Sequence, residues 1–110
     1  MSKRSSILYI NDIAQAIDKI DKFAGKISYE KFCRDEKTMD AVVRNLEIIG
    51  EAAKHVSKTI RERNKDIPWS EMVSMRNKVT HEYFGVDMEI LWKTITEDLP
   101  ELKKKIKKLI

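Results

Sequence analysis

The sequence holds few of the residues that build cross-links, tight turns and membrane spans. Its 110 residues include one cysteine, two prolines and three glycines. The single cysteine, Cys33, excludes an internal disulfide framework and a four-cysteine zinc site, so we expect a reducing, cytoplasmic environment. No apolar run approaches the ~18–20 residues that a membrane span requires. The apolar stretch near the N-terminus is too short for a signal peptide, and we predict neither a leader nor a membrane span.

Charge and helix-forming side chains are abundant instead. Charged residues make up 36% of the chain, hydrophobic residues 42% and aromatic residues 7%. Heavy use of Ala, Glu, Lys, Leu, Ile and Arg with few breakers is typical of helices. The length fits one domain, which we place at residues 1–110. A net charge of +4 permits an anionic partner without establishing one, because 18 acidic residues are mixed among 22 basic ones.

The apolar spacing predicts an all-α, up-and-down bundle of four or five helices. The first helix is expected from about Ser5 to Phe23, ended by Gly25. The second has the clearest periodicity, an apolar seam that steps by three and four residues from Met39 to Ile60. The width of this seam favours burial on more than one side, with part of the surface meeting a second subunit. Gly50 lies within it, either where another helix approaches closely or as a tolerated exception.

The second half of the chain is predicted to hold the remaining helices. Pro68 suits the first turn of a third helix that continues to Thr80 or Tyr83. Asp87 can cap a fourth helix, and Pro100 begins or kinks the last one. The last helix ends in a lysine-rich tail, which we interpret as a solvent-exposed face. Electrostatic recruitment of RNA is the alternative for that tail.

The third helix carries an arginine where its apolar stripe should continue. On an ideal helix Arg76 lies about 40° from Met72, the centre of the stripe. An arginine at such a position must be paired, must extend its charged end to water, or must face a site. The plain structural interpretation is a buried ion pair with Glu47 or Glu51, and a functional site is the alternative.

The residues around Arg76 favour a functional site. Asn77 and His81 are four apart and share a helix face, whereas Arg76 and His81 are five apart, about 140° around an ideal helix. Arg76 and His81 can converge if the helix loosens near Thr80 and His81, or if a dimer joins two copies; we expect both, in a cleft between subunits. Histidine can transfer a proton near neutral pH, and arginine can stabilise a phosphate as negative charge builds. The set therefore suits cleavage of RNA, whose 2′-hydroxyl is an internal nucleophile, and it demands no metal.

The same residues resemble a known family. Arg76, Asn77, His81 and Tyr83 match the Arg-x4-His-x-Tyr signature of HepT-like toxins in the HEPN superfamily. The similarity spans roughly residues 35–102 and includes further segments in the family's order, at residues 44–52, 67–69, 86–87 and 91–92. Several ordered segments make this resemblance more specific than the motif alone.

The resemblance implies an all-helical HEPN homodimer, a metal-independent ribonuclease toxin of a type II toxin–antitoxin system that acts on tRNA or mRNA. Arg76 and His81 would be catalytic, with Asn77 and Lys78 supporting them and binding substrate. The products would be a 2′,3′-cyclic phosphate and a 5′-hydroxyl. The family's antitoxin, a small MntA-like nucleotidyltransferase, transfers AMP to the tyrosine that matches Tyr83. No cofactor and no metal ligand are implied.

Other interpretations stay open beside this one. A non-catalytic HEPN dimer that binds nucleotide or RNA, or that serves as an assembly module, would share the fold. A small helical DNA-binding regulator is a further alternative, but no helix-turn-helix pattern is evident. Outside the motif, we interpret His55 as a surface histidine and Trp69 and Trp92 as core residues, with contacts to RNA as the alternatives.

Overall fold

Helices dominate the computed structural model, which describes residues 5–81 and 85–110, with the backbone only at positions 80 and 81. The prediction of an all-α bundle is confirmed. In chain order the elements are α1 Ser6–Ala24, α2 Tyr29–Arg34, α3 Glu36–His55, α4 Lys58–Arg63, α5 Trp69–Val73, α6 Met75–Val79, β1 Thr80–His81, β2 Gly85–Val86, α7 Met88–Lys93, a π-helical segment Thr94–Asp98, and α8 Leu99–Lys107.

The two long helices, α1 and α3, form the centre of the bundle. They contain 19 and 20 residues and pack against each other. Ile13, Leu46 and Ile49 have no solvent exposure, and each such side chain contributes about 1.5–3 kcal/mol relative to an exposed position. The first predicted helix is confirmed, with Ser5 as its N-cap and Gly25 as its C-cap. Within residues 5–81 and 85–110, no helix combines the length and the apolar character that a bilayer span demands.

The second predicted helix is two helices in the structure. α3 ends at His55, and Val56 leaves the helix with a ψ of 137°. Ser57 then caps α4 by accepting a hydrogen bond from the Ile60 backbone N–H at 3.3 Å, while its own N–H donates to Ser6 Oγ at 2.9 Å. A serine side chain offers the backbone a partner outside the helix, which favours a break at this point. The prediction of one seam continuing to Ile60 was therefore wrong.

The close approach predicted as one role of Gly50 is confirmed. A Cβ atom at this position would lie 3.1 Å from the carbonyl oxygens of both Met72 and Val73, near the end of α5. Real Cβ atoms rarely come so near to another group, and a backbone carbonyl cannot swing aside as a flexible side chain can. The absence of a side chain at Gly50 therefore lets α5 pack directly on α3.

The third predicted helix begins where expected but is interrupted. α5 starts directly after Pro68. Ser74, with φ −89° and ψ 2°, separates α5 from α6, and α6 ends at Val79. The helical phase therefore changes within the segment that was predicted to be continuous.

A short hairpin follows α6. Its antiparallel strands pair Thr80 with Val86 and His81 with Gly85. Gly85 has a φ of 85°, a left-handed conformation that glycine adopts without steric cost. The helix ends at Val79, one residue before the first of the two predicted ends, and Thr80 begins a strand. The alternative end at Tyr83 lies outside the described residues.

The C-terminal elements follow the sequence prediction closely. Asp87 Oδ1 accepts a hydrogen bond from the Ile90 backbone N–H at 3.1 Å and caps α7. Pro100 stands in the first turn of α8, where its missing N–H is not needed. In α8, Leu102 and Ile106 are buried, and the lysines of residues 103–108 are exposed or half-buried. The interpretation of the tail as a solvent-exposed helix face is confirmed.

The N-cap of α3 predicts a pH dependence of stability. Thr38 donates its hydroxyl to Asp35 Oδ2 at 2.6 Å and its backbone N–H to Asp35 Oδ1 at 3.0 Å. These two hydrogen bonds lower the pKa of Asp35 below its ordinary value of 3.8, with the hydroxyl bond as the larger cause. A carboxyl whose pKa is lowered by folding stabilises the fold above its unfolded pKa, and this contribution is lost as the pH falls through the folded pKa.

We therefore expect the Tm of the wild type to fall more steeply than that of Asp35→Asn between about pH 5 and about pH 2. Asparagine is an equally good N-cap but does not titrate. Thermal melts of both proteins across this range measure the difference. A constant difference in Tm at every pH would contradict the role given to the Asp35 carboxylate.

Candidate functional site

α6 presents the candidate site residues, and its two buried side chains determine how. Met75 is 6% exposed and Val79 is fully buried, so both anchor α6 to the core. The three residues between them, Arg76, Asn77 and Lys78, are all exposed to solvent. Five residues make only about one and a half turns, and the packing of α6 rather than its own length must hold it in place.

Arg76 is paired as predicted but not buried as predicted. Its Nε lies 3.4 Å from Glu47 Oε1, and the two side chains are 61% and 38% exposed. The ideal-helix angle that placed Arg76 in the apolar stripe does not apply, because the break at Ser74 lies between it and Met72. A pair this exposed contributes about 0–1 kcal/mol to stability.

Arg76 and Asn77 line one side of a cleft of about 690 Å³. The lining comes from α1, α3, the end of α5 and α6, with α3 contributing the most residues. Its lining includes three cationic and three acidic side chains: Arg44, Lys54, Arg76, Asp12, Glu47 and Glu51. The formal charges of these side chains cancel, so this cleft is not a simple basic groove. It is a site of mixed charge, and apolar side chains such as Ile48 and Val73 also line it.

Lys78 does not join Arg76 and Asn77 at this cleft. It lies beside a separate depression of about 270 Å³ between α5, α6 and α8. There its Nζ is 3.4 Å from Asp98 Oδ2 in the π-helical segment. The structure therefore brings together two of the three predicted α6 residues and places Lys78 at a different surface.

His81 follows α6 in strand β1, so the loosening predicted near Thr80 and His81 is confirmed in the backbone. The Asp87 backbone N–H donates a hydrogen bond to the Val79 carbonyl oxygen at 2.8 Å. This bond joins the end of α6 to the residue that follows β2. The prediction that Asn77 and His81 share a helix face was wrong, because the helix ends between them. The convergence of Arg76 and His81 stays a prediction, and Tyr83 lies outside the described residues.

An aromatic pair lies near one end of the cleft. Tyr9 lines it from the first turns of α1, and its ring stacks on His55 with centroids 5.2 Å apart. His55 Nε2 is 3.2 Å from Glu51 Oε1, and the histidine side chain is 47% exposed. The surface interpretation of His55 is confirmed. Sequence reasoning missed Tyr9, because nothing in the pattern of α1 indicates which part of α3 it will face.

Trp69 belongs to the core, and Trp92 packs against the core from a partly exposed position. Trp69 is 7% exposed and donates its indole N–H to the Asn64 carbonyl at 3.0 Å. Trp92 is half-buried, with its ring centroid 5.3 Å from that of Phe32. Among the side chains that the structure describes, no group of three or more His, Cys, Asp and Glu is arranged to hold a metal ion.

Comparison with known proteins identifies relatives along nearly the whole chain. Residues 13–109 match the family described as ribonuclease HepT-like. A Thermococcus cleftensis protein named as a probable ribonuclease HepT is 50% identical over 107 residues, which cover 97% of each chain. A Methanocaldococcus jannaschii protein named as a proposed RNase is 40% identical over 106 residues, 96% of this chain and 97% of that one.

A third relative, from Caldanaerobacter subterraneus and also named as a proposed RNase, is 42% identical over 102 residues, 93% of this chain and 91% of the relative. No solved structure matches this chain significantly. The resemblance carried by the sequence motif is confirmed, and so, at the level of the family, is the expectation of an enzyme of the ribonuclease class.

Proposed function

This chain belongs to the ribonuclease HepT-like family, and from that premise we propose that it is a metal-independent endoribonuclease in which Arg76 and His81 perform the chemistry. The observation that carries the proposal is the position of Arg76. It is a solvent-exposed arginine at a cleft of mixed charge, next to Asn77, and the strand with His81 follows its helix directly. A polymeric substrate can reach a guanidinium in this position, whereas it could not reach a buried one.

The proposed reaction is transesterification within RNA. The 2′-oxygen attacks the adjacent phosphorus, the bond from phosphorus to the 5′-oxygen breaks, and a 2′,3′-cyclic phosphate and a 5′-hydroxyl result. His81 acts as general base towards the 2′-hydroxyl proton or as general acid towards the departing 5′-oxygen. Arg76 stabilises the negative charge that accumulates on the phosphate oxygens. Asn77, beside Arg76 at the cleft, supports the pair by holding a phosphate oxygen.

The proposal includes a homodimer and a toxin–antitoxin role. The family resemblance supports a cleft shared by two copies, in which the Arg-x4-His motifs face each other. It also supports neutralisation by an MntA-like nucleotidyltransferase that transfers AMP to Tyr83. Tyr83 stands two residues after His81 in the sequence. AMP on its hydroxyl would add bulk and negative charge near the proposed catalytic histidine, and would repel RNA.

Cleavage of RNA in EDTA tests the proposed function. Purified protein with an intact mass that shows an unmodified Tyr83 is incubated with tRNA and with single-stranded mRNA. We expect cleavage that EDTA does not abolish, with products that end in a 2′,3′-cyclic phosphate and a 5′-hydroxyl. Dimeric, unmodified protein that leaves every RNA intact would contradict the proposal and favour a binding module.

A further inference from the structure

Glu47 contacts the proposed catalytic arginine from a different helix. It lies on α3, and its Oε1 is 3.4 Å from Arg76 Nε. We propose that Glu47 is a positioning residue, which holds the guanidinium of Arg76 in the orientation that a phosphodiester requires. This inference rests on the proposed ribonuclease function, because that function is what makes Arg76 catalytic.

Arg76 needs an external support because its own helix gives little. α6 has five residues, and the arginine side chain is 61% exposed. A free arginine side chain samples many rotamers, and holding it in one of them carries an entropic cost. Glu47 is the better-fixed partner, because it belongs to a 20-residue helix at the centre of the bundle and is 38% exposed. The ion pair therefore links a mobile side chain to the most firmly packed part of the fold.

The contact is made at the edge of the guanidinium that phosphate does not need. A guanidinium has five N–H donors, one on Nε and four on the two terminal nitrogens. Glu47 faces Nε. The two terminal nitrogens stay available, and they can fork onto two phosphate oxygens at once. Glu47 and a phosphate can thus contact the same arginine together, and the carboxylate fixes the plane in which the fork lies.

Positioning and simple charge predict opposite results when Glu47 is neutralised. A carboxylate near bound RNA repels it, so removal of that charge should favour association. If charge were the only effect, Glu47 variants would cleave RNA at least as fast as the wild type. If Glu47 orients Arg76, the variants bind RNA as well or better and react more slowly. The separation of kcat from KM therefore distinguishes the two roles.

The experiment compares Glu47→Ala and Glu47→Gln with Glu51→Gln. Glu51 lies one turn further along α3, also lines the cleft, and pairs with His55 instead of Arg76. With a single-stranded RNA oligonucleotide, we expect kcat of Glu47→Ala to fall about tenfold or more, with an equal or lower KM. Glu47→Gln should keep part of the activity, because its amide oxygen can still face Nε. The kcat of Glu51→Gln should stay near wild type, with an equal or lower KM because this substitution also removes a negative charge from the cleft. The Tm of all three variants should change little.

A second comparison, in which Glu47→Ala is combined with Arg76→Lys, shows whether Glu47 acts on kcat through Arg76. Lysine has no Nε, so in Arg76→Lys protein Glu47→Ala should change kcat less than about twofold. An unchanged kcat in Glu47→Ala, or an equal loss in both backgrounds, would overturn the positioning role. Should Arg76→Lys fall below detection, the kcat and KM of the single variants decide alone. Absence of cleavage by the wild type would instead reject the proposed function itself.

Discussion

His81→Ala is expected to lower kcat/KM for RNA cleavage by about 10²–10⁴-fold, because a positioned general acid or base contributes a factor of this size. The variant should remain folded and keep the oligomeric state of the wild type. His55→Ala is the matched control, since the chain has two histidines and His55 is exposed on α3, where it pairs with Glu51. Initial rates on one RNA oligonucleotide, with circular dichroism and size-exclusion chromatography, make the comparison.

Arg76→Ala belongs to the same prediction. Loss of a group that stabilises the developing negative charge should cost about 10²–10³-fold in kcat, and the exposure of the side chain means that the fold should tolerate its removal. Lys78→Ala, on the same short helix but paired with Asp98 at another depression, should cause a much smaller loss, mainly through KM. Equal losses for Arg76→Ala and Lys78→Ala would indicate general attraction of RNA to α6 and would contradict a specific role of Arg76.

The largest effect on stability is expected at Phe32. Its side chain has no solvent exposure, and its ring lies against that of Trp92, so α2 is joined to α7 through this contact. Phe32→Ala leaves a cavity that the surrounding helices can fill only in part, at a cost of about 3–5 kcal/mol in the free energy of unfolding. That is a large share of the ~5–15 kcal/mol typical of a domain.

Tyr29→Ala is the control for this loss. Tyr29 also contacts Trp92, with ring centroids 5.5 Å apart, but it is 37% exposed. Loss of such a ring pair at a partly exposed position should cost about 0.5–1.5 kcal/mol. Urea unfolding of both variants measures the difference, and similar losses would show that Phe32 is less important to the core than its burial indicates.

The elements that the sequence predicted well are those in which local pattern and tertiary packing agree. The apolar residues of α1 recur at helical spacing and are buried against α3, so residue pattern and burial give the same boundaries. The cap at Asp87 and the proline in α8 were predictable because each acts on its own helix end. The family motif was recognisable for a similar reason, since it depends on residue types at fixed spacing.

The errors occurred where an apolar pattern continues across a backbone break. Val56 is buried although it is not helical, so the seam of α3 passes into α4 without a visible interruption. Ser74 likewise interrupts the third predicted helix between Met72 and Arg76. The angle between these two residues on an ideal helix therefore does not describe where Arg76 lies. The contact of Tyr9 with His55 could not be predicted, because the two residues are far apart in sequence and meet only through the packing of α1 on α3.

The close contact at Gly50 has a consequence for any effort to make this protein more heat-resistant. Replacement of a mid-helix glycine by alanine is a standard engineering choice, since it commonly adds about 0.4–1 kcal/mol of stability. Here the new methyl group would press on the carbonyl oxygens of Met72 and Val73. Relief of that pressure would move α5, and with it the short helix that carries Arg76. A substitution chosen from helix propensity alone would thus disturb the cleft, and Gly50 should be left unchanged in such a design.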